Sequence, residues 1–133
     1  MNRVFRVSLL AGVVAVGLGC PDGPNGPVAG NLSVRLTSPN SGADSAIAIT
    51  ITGPAALTSA TPGAGLRLFQ QALGGTTTRF ALVGQLNTNA TILTIGVEDV
   101  NKVSQYAGTI QGVALPNYQL RNLPGGYVLT VLR

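Results

Sequence analysis

Apolar and polar residues alternate along most of the chain beyond Asn31. Leu32, Val34 and Leu36 interleave with Ser33, Arg35 and Thr37, and Ile47, Ile49 and Ile51 with Ala48, Thr50 and Thr52. Successive side chains of a strand point to opposite faces, so a period of two marks a ribbon with one apolar and one solvated face. The same pattern predicts strands over 66–71, 78–84, 91–97, 106–114 and 126–132. Leu93, Ile95 and Val97, and later Tyr127, Leu129 and Val131, form the inward sets. Turn formers fall between these runs at intervals of about ten residues. They include Ser38-Pro39-Asn40-Ser41-Gly42, Gly53-Pro54, Pro62-Gly63, Gly74-Gly75, Asn87-Thr88-Asn89, Pro116-Asn117 and Pro124-Gly125-Gly126. Short strands at this spacing predict an all-β protein: a single β-sandwich of seven to nine mostly antiparallel strands over 31–133, seven of which are legible as main strands.

One segment breaks the period. Val97, Val100 and Val103 recur every third residue, Glu98 and Asp99 stand at the start and Lys102 near the end. This suits one or two helical turns whose dipole is complemented at both ends, acting as a corner between sheets. Tyr106 follows, placed where a buried tyrosine hydrogen-bonds back to the preceding backbone. The core is expected to be aliphatic, with Phe69, Phe80, Tyr106, Tyr118 and Tyr127 as its larger pieces.

The first thirty residues have a different character. Arg3 and Arg6 precede an apolar run over 7–16, then come Gly17, Leu18 and Gly19, and then Cys20, the single cysteine. This is the layout of a secretory signal over 1–19. The apolar run is shorter than the roughly 20 residues of a membrane-spanning helix. Residues 20–30, rich in proline, glycine and asparagine, read as a flexible tether. With no second cysteine there is no disulfide framework, and the fold must rest on apolar burial.

The stretch ending at Cys20 resembles the lipobox of bacterial lipoproteins. The resemblance implies acylation of the Cys20 thiol, cleavage just before it and a lipid-anchored protein of the cell envelope, at the outer membrane or cell surface. Gly17 stands where that family has leucine, which leaves ordinary signal-peptidase cleavage as the alternative. Two or more acyl chains give stable anchoring, each buried methylene contributing about 0.8 kcal/mol.

Charge and chemistry remove several classes of function. The formal charge is +4, but Arg3 and Arg6 belong to the signal. The remaining basic residues, Arg35, Arg67, Arg79, Lys102, Arg121 and Arg133, are scattered singly, whereas nucleic-acid binding uses clusters, so no nucleic-acid partner is expected. The chain has no histidine. That removes the commonest general base, the Ser-His-Asp triad and imidazole metal ligands. Beyond Asp22 the carboxylates are Asp44, Glu98 and Asp99, too few for a calcium loop and without the spacing of a catalytic pair. Glu98 and Asp99 are assigned to the helix start. Gly74-Gly75 and Gly125-Gly126 lack the lysine and following helix of a phosphate loop and read as hairpin turns. The chain is expected to be non-catalytic, with no cofactor and no metal.

The remaining candidate is the loop ALPNYQLRNLP, where Tyr118 and Arg121 stand three residues apart. An aromatic beside a guanidinium in a loop is a common means of contacting a protein or a carbohydrate, and the alternative is that Tyr118 and Leu120 cap the end of the sandwich. The run from Leu93 through Ile95 and Val97 to Tyr106 resembles the corner of immunoglobulin-like and fibronectin type III sandwiches. More loosely, 31–132 is similar to cohesin and carbohydrate-binding-module sandwiches, through ADSAIAITITGP, RFALVGQL, TILTIGVED and GGYVLTV. What these resemblances imply is the fold. The functional expectation is a membrane-anchored interaction or adhesion module with an envelope protein as partner. A polysaccharide bound through Tyr118 and Arg121 is the alternative.

Overall fold

The computed structural model describes residues 26–123 and 125–133. The predicted signal, Cys20 and most of the predicted tether lie outside the described residues. Eight strands follow in order: β1 (Gly30–Thr37), β2 (Asp44–Thr52), β3 (Ser59–Pro62), β4 (Arg67–Gly74), β5 (Thr77–Leu86), β6 (Ala90–Val97), β7 (Ala107–Ala114) and β8 (Val128–Leu132). A 3-10 helix, Val100–Gln105, joins β6 to β7. The strands form two four-stranded antiparallel sheets, β3-β6-β1-β8 and β4-β5-β2-β7, packed face to face. The predicted all-β sandwich is the fold observed.

The period-two residues fill the space between the sheets. Leu32, Val34 and Leu36 from β1, Ile47, Ile49 and Ile51 from β2, Phe80 and Leu82 from β5, and Leu93, Ile95 and Val97 from β6 are buried. Tyr127, Leu129 and Val131 pack against this core but remain half-buried. Ile92 is buried too, although strict alternation would turn it outward. Pairing between β1 and β6 slips at this point, from Val34↔Leu93 to Arg35↔Thr91, so Ile92 is the extra residue of a bulge and two successive side chains face inward.

The sequence pattern misses β3. Ser59-Ala60-Thr61-Pro62 has no apolar period, and only Ala60 packs on the core. Its position explains the composition: β3 is an edge strand paired only with β6, where a proline costs no interior ladder bond. Two of the expected core aromatics also lie elsewhere. Phe69 is 53% exposed and Tyr118 72% exposed, because Phe69 is on the outer face of β4 and Tyr118 is on a loop.

The irregular segment is helical, as its spacing predicts, and the three-residue recurrence is that of a 3-10 turn. Asp99 caps it by accepting from the Asn101 N–H at 3.0 Å, and the same oxygen accepts from the Val28 N–H at 3.2 Å. Val100 returns a bond to the Val28 carbonyl at 2.8 Å. The chain entering the sandwich is thereby held two residues before β1 begins. Tyr106 is buried, but its expected hydroxyl bond to the preceding backbone is not found among the described residues. Its ring instead packs directly on Gly53, where no Cβ fits, and its N–H donates to the Val103 carbonyl.

Candidate interaction surface

Asp44 opens β2 and is 1% exposed. Its burial is matched by three donors on the segment that follows β7. The Arg121 Nε and Nη2 atoms lie 2.7 Å from Oδ1, and the Tyr127 hydroxyl donates to Oδ2 at 2.5 Å. Asn40 Nδ2 donates in turn to the Tyr127 oxygen at 2.8 Å. A carboxylate surrounded in this way has its lone pairs occupied by charge-assisted bonds. Asp44 therefore works as a fastener that holds Arg121 and Tyr127 against the end of the sandwich, and Arg121 is one of its arms.

This arrangement separates the two residues that sequence reasoning places together. Arg121 turns inward, with only 21% of its side chain exposed, while Tyr118 stands free on a tight loop. That loop has its own logic. Leu115 accepts from the Tyr118 N–H at 2.7 Å and donates to the Gln119 carbonyl at 2.9 Å. The Asn117 side chain accepts from the Gln119 N–H at 3.1 Å. Pro116 sits at the first corner of the turn and Tyr118 has φ 65°, the left-handed conformation that glycine or asparagine usually supplies in a three-residue hairpin loop.

Asp99 caps the helix start, whereas Glu98 makes no capping bond among the described residues. The Val28 and Asn101 backbone N–H groups hold the Asp99 carboxyl below its ordinary 3.8, partial desolvation works against them, and Lys102 adds a weaker attraction. Burial pushes the Tyr106 phenol up from 10.0, with further contributions from Glu98 and Asp99. No group of three or more potential metal ligands occurs among the described residues.

Another surface feature is one that alternation does not reveal. On the outer face of β4-β5-β2-β7 the strand registers align side chains in rows. Arg67, Val83, Ala46 and Ala114 form one row, and Leu120 extends it through an isolated bridge to Ala114. Phe69, Ala81, Ala48 and Gly112 form the next. The third, Gln71, Arg79, Thr50 and Thr109, is polar, with Gln111 donating to the Thr50 hydroxyl at 3.3 Å. Apart from Arg67 at one end, the first two rows make an apolar trough with alanines and a glycine as its floor. Phe69 forms one wall and Leu120, 80% exposed, the other. At the usual strand spacing the walls stand about 19 Å apart. Ala48, read from the sequence as part of a wet face, lies in the middle of the trough.

The trough is legible only once the strands are paired. Alternation identifies the less apolar side of each strand, and an alanine between two isoleucines counts as outward without being polar. Four strands must be placed side by side before Ala46, Ala48, Ala81 and Ala114 become one surface.

No family model, curated protein or solved structure matches the chain.

Proposed function

We propose that this chain is an exported, lipid-anchored protein of the cell envelope whose sandwich is a non-catalytic protein-interaction module. The observation that supports it best is the apolar trough from Phe69 to Leu120. Outward faces of antiparallel sheets are ordinarily solvated, and a contiguous apolar patch with exposed large side chains at its borders is the usual mark of a protein contact. The absence of histidine and the engagement of Asp44 and Asp99 in structural bonds support a non-catalytic role.

The test is site-specific photocrosslinking in the native host. A photoreactive residue replacing Phe69 is expected to give a discrete adduct with another protein. The same residue replacing Asn31, exposed on the opposite sheet, is expected to give none. Equal, diffuse labelling from both positions overturns the reading.

A second reading, carbohydrate binding at the cell surface, is favoured by Tyr118, an exposed aromatic in a left-handed conformation on a hydrogen-bonded loop. Strained exposed residues are over-represented at ligand contacts. Arg121, committed to Asp44, would contribute to such a site only at its rim.

A further inference from the structure

Among the described residues the two sheets end in four edge strands, which differ in how far they are protected. β7 and β8 close each other: their Cα atoms approach within 8 Å, whereas a strand lying between them needs about 9.6 Å, two strand spacings. The Leu129 side chain also fills the space over Gly108. β3 has four residues and ends in Pro62, which has no N–H to donate. β4 has neither protection. Its pairing with β5 is regular from Arg67 to Ala72, a six-residue stretch without proline or lysine, before the irregularity near Leu73. Such an edge is a template for another strand.

Two further features say what that strand is. Because β3 is half as long as β4, the inner side of β4 is not covered: Gln70 and Ala72 face inward by register with Phe80 and Thr78, yet both are exposed. A cleft of about 310 Å³ lies here, with Leu57, Ser59 and Ala60 on one side and Gln70, Ala72 and Phe80 on the other. Alternate side chains of a strand added to β4 would point toward its mouth, and small apolar residues fit there. The other set would emerge on the outer face beside Arg67 and Phe69, with Arg79 one strand further in. The Arg67 guanidinium lies 5.7 Å from the Phe69 ring centroid. Neither arginine has an ion-pair partner among the described residues, and the outer-face rows contain no carboxylate: Asp44 is buried, and Glu98 and Asp99 lie between β6 and the 3-10 helix.

We infer that the β4 edge accepts an extended segment of a partner protein as a fifth strand, one that alternates small apolar residues, facing the cleft, with acidic residues, facing Arg67 and Arg79. Main-chain bonds to the edge supply affinity and the two side-chain sets supply selectivity. The inference rests on the protein-interaction reading and names the chemistry of the partner.

The test uses the chain without its signal and two synthetic octapeptides, valine alternating with glutamate and valine alternating with lysine. The glutamate peptide is expected to slow amide exchange along β4 and to bind about tenfold more tightly than the lysine peptide at low salt, the gap narrowing as salt is raised. The double variant Arg67→Glu, Arg79→Glu is expected to reverse the preference. Equal binding of the two peptides, or protection elsewhere than β4, overturns the inference. Concentration-dependent protection of β4 without peptide also overturns it, by naming a second copy of this chain as the occupant. The Phe69 crosslink separates the two levels: an adduct in cells with no β4 protection leaves the interaction reading standing and removes strand addition alone.

Discussion

Tyr118 carries backbone strain and Asp44 a buried charge, with opposite consequences for the stability of the sandwich. Tyr118 holds a left-handed backbone conformation that costs an L-residue roughly 1–2 kcal/mol. Its side chain has no buried contact to offset this, because it is mostly exposed. Tyr118→Gly is expected to leave the unfolding free energy unchanged or raise it, by up to about 1 kcal/mol after the entropy that glycine adds to the unfolded chain, as read by chemical denaturation. If the carbohydrate reading holds, the same variant loses retention on insoluble glycans while remaining folded. Asp44 is the opposite case. Asp44→Ala deletes the acceptor for Arg121 and Tyr127 and leaves both donors at a partly buried site. Removing one member of a buried ion pair costs about 3–5 kcal/mol, and the lower end applies because Arg121 keeps some access to water. Denaturation of the variant should show a loss near 3 kcal/mol, and amide exchange should show 121–127 released first.

At the scale of elements, the 3-10 helix is the piece whose stability depends on pH. The Asp99 carboxyl sits below its ordinary 3.8 because Val28 and Asn101 donate to it. A carboxylate with a depressed folded pKa contributes stability above its unfolded pKa, and that stability is lost as pH falls through the folded pKa. Acidification to below 3.8 is therefore expected to reduce the exchange protection of the Val28 and Asn101 amides, relative to their intrinsic rates at the same pH, before that of β2 and β5, and Asp99→Asn should abolish that pH dependence. The helix was legible in the sequence because Val97, Val100 and Val103 fix its period and Asp99 its cap. Most strands were legible for a similar reason: β1, β2 and β6 bury one face against the other sheet, and their hydrophobic sets record it. Where only one side of an element meets the core, the record fades. β3 contributes Ala60 alone to the core and was not visible, and β4 contributes Leu68 while Phe69 faces solvent. β8 and β4 are both edge strands, each paired on one side only, and no local period of the sequence distinguishes them from the interior strands. Strand order is set by pairings distant in sequence, which a local period does not contain. For Arg121 the missing information is of the same kind, since its partner Asp44 lies 77 residues away.

For the whole molecule, the registers set the direction in which the surface faces. Val28, Gly30 and the 3-10 helix mark the end at which the chain enters, and Ser38, Asp44 and Tyr127 mark the other. β1 spans the distance between them, roughly 26 Å for eight residues. The row of Arg67, Val83, Ala46 and Ala114 lies near the far end, since Asp44 pairs with Leu86 next to it, while the polar row with Thr50 lies toward the entry end. A chain anchored through Cys20 would therefore carry the trough and Tyr118 on the side away from its attachment, open to a partner in solution or on a facing surface. The anchoring itself makes a direct prediction. Protein extracted from membranes of its host should have the intact mass of residues 20–133 plus acyl chains, and Cys20→Ser should lose both the added mass and membrane retention. An unmodified mass for the wild type removes the lipid anchor from the proposal and makes the module a freely diffusing one. The trough and the β4 edge would then have to hold any envelope partner by their own affinity, because local concentration at a membrane would no longer assist them.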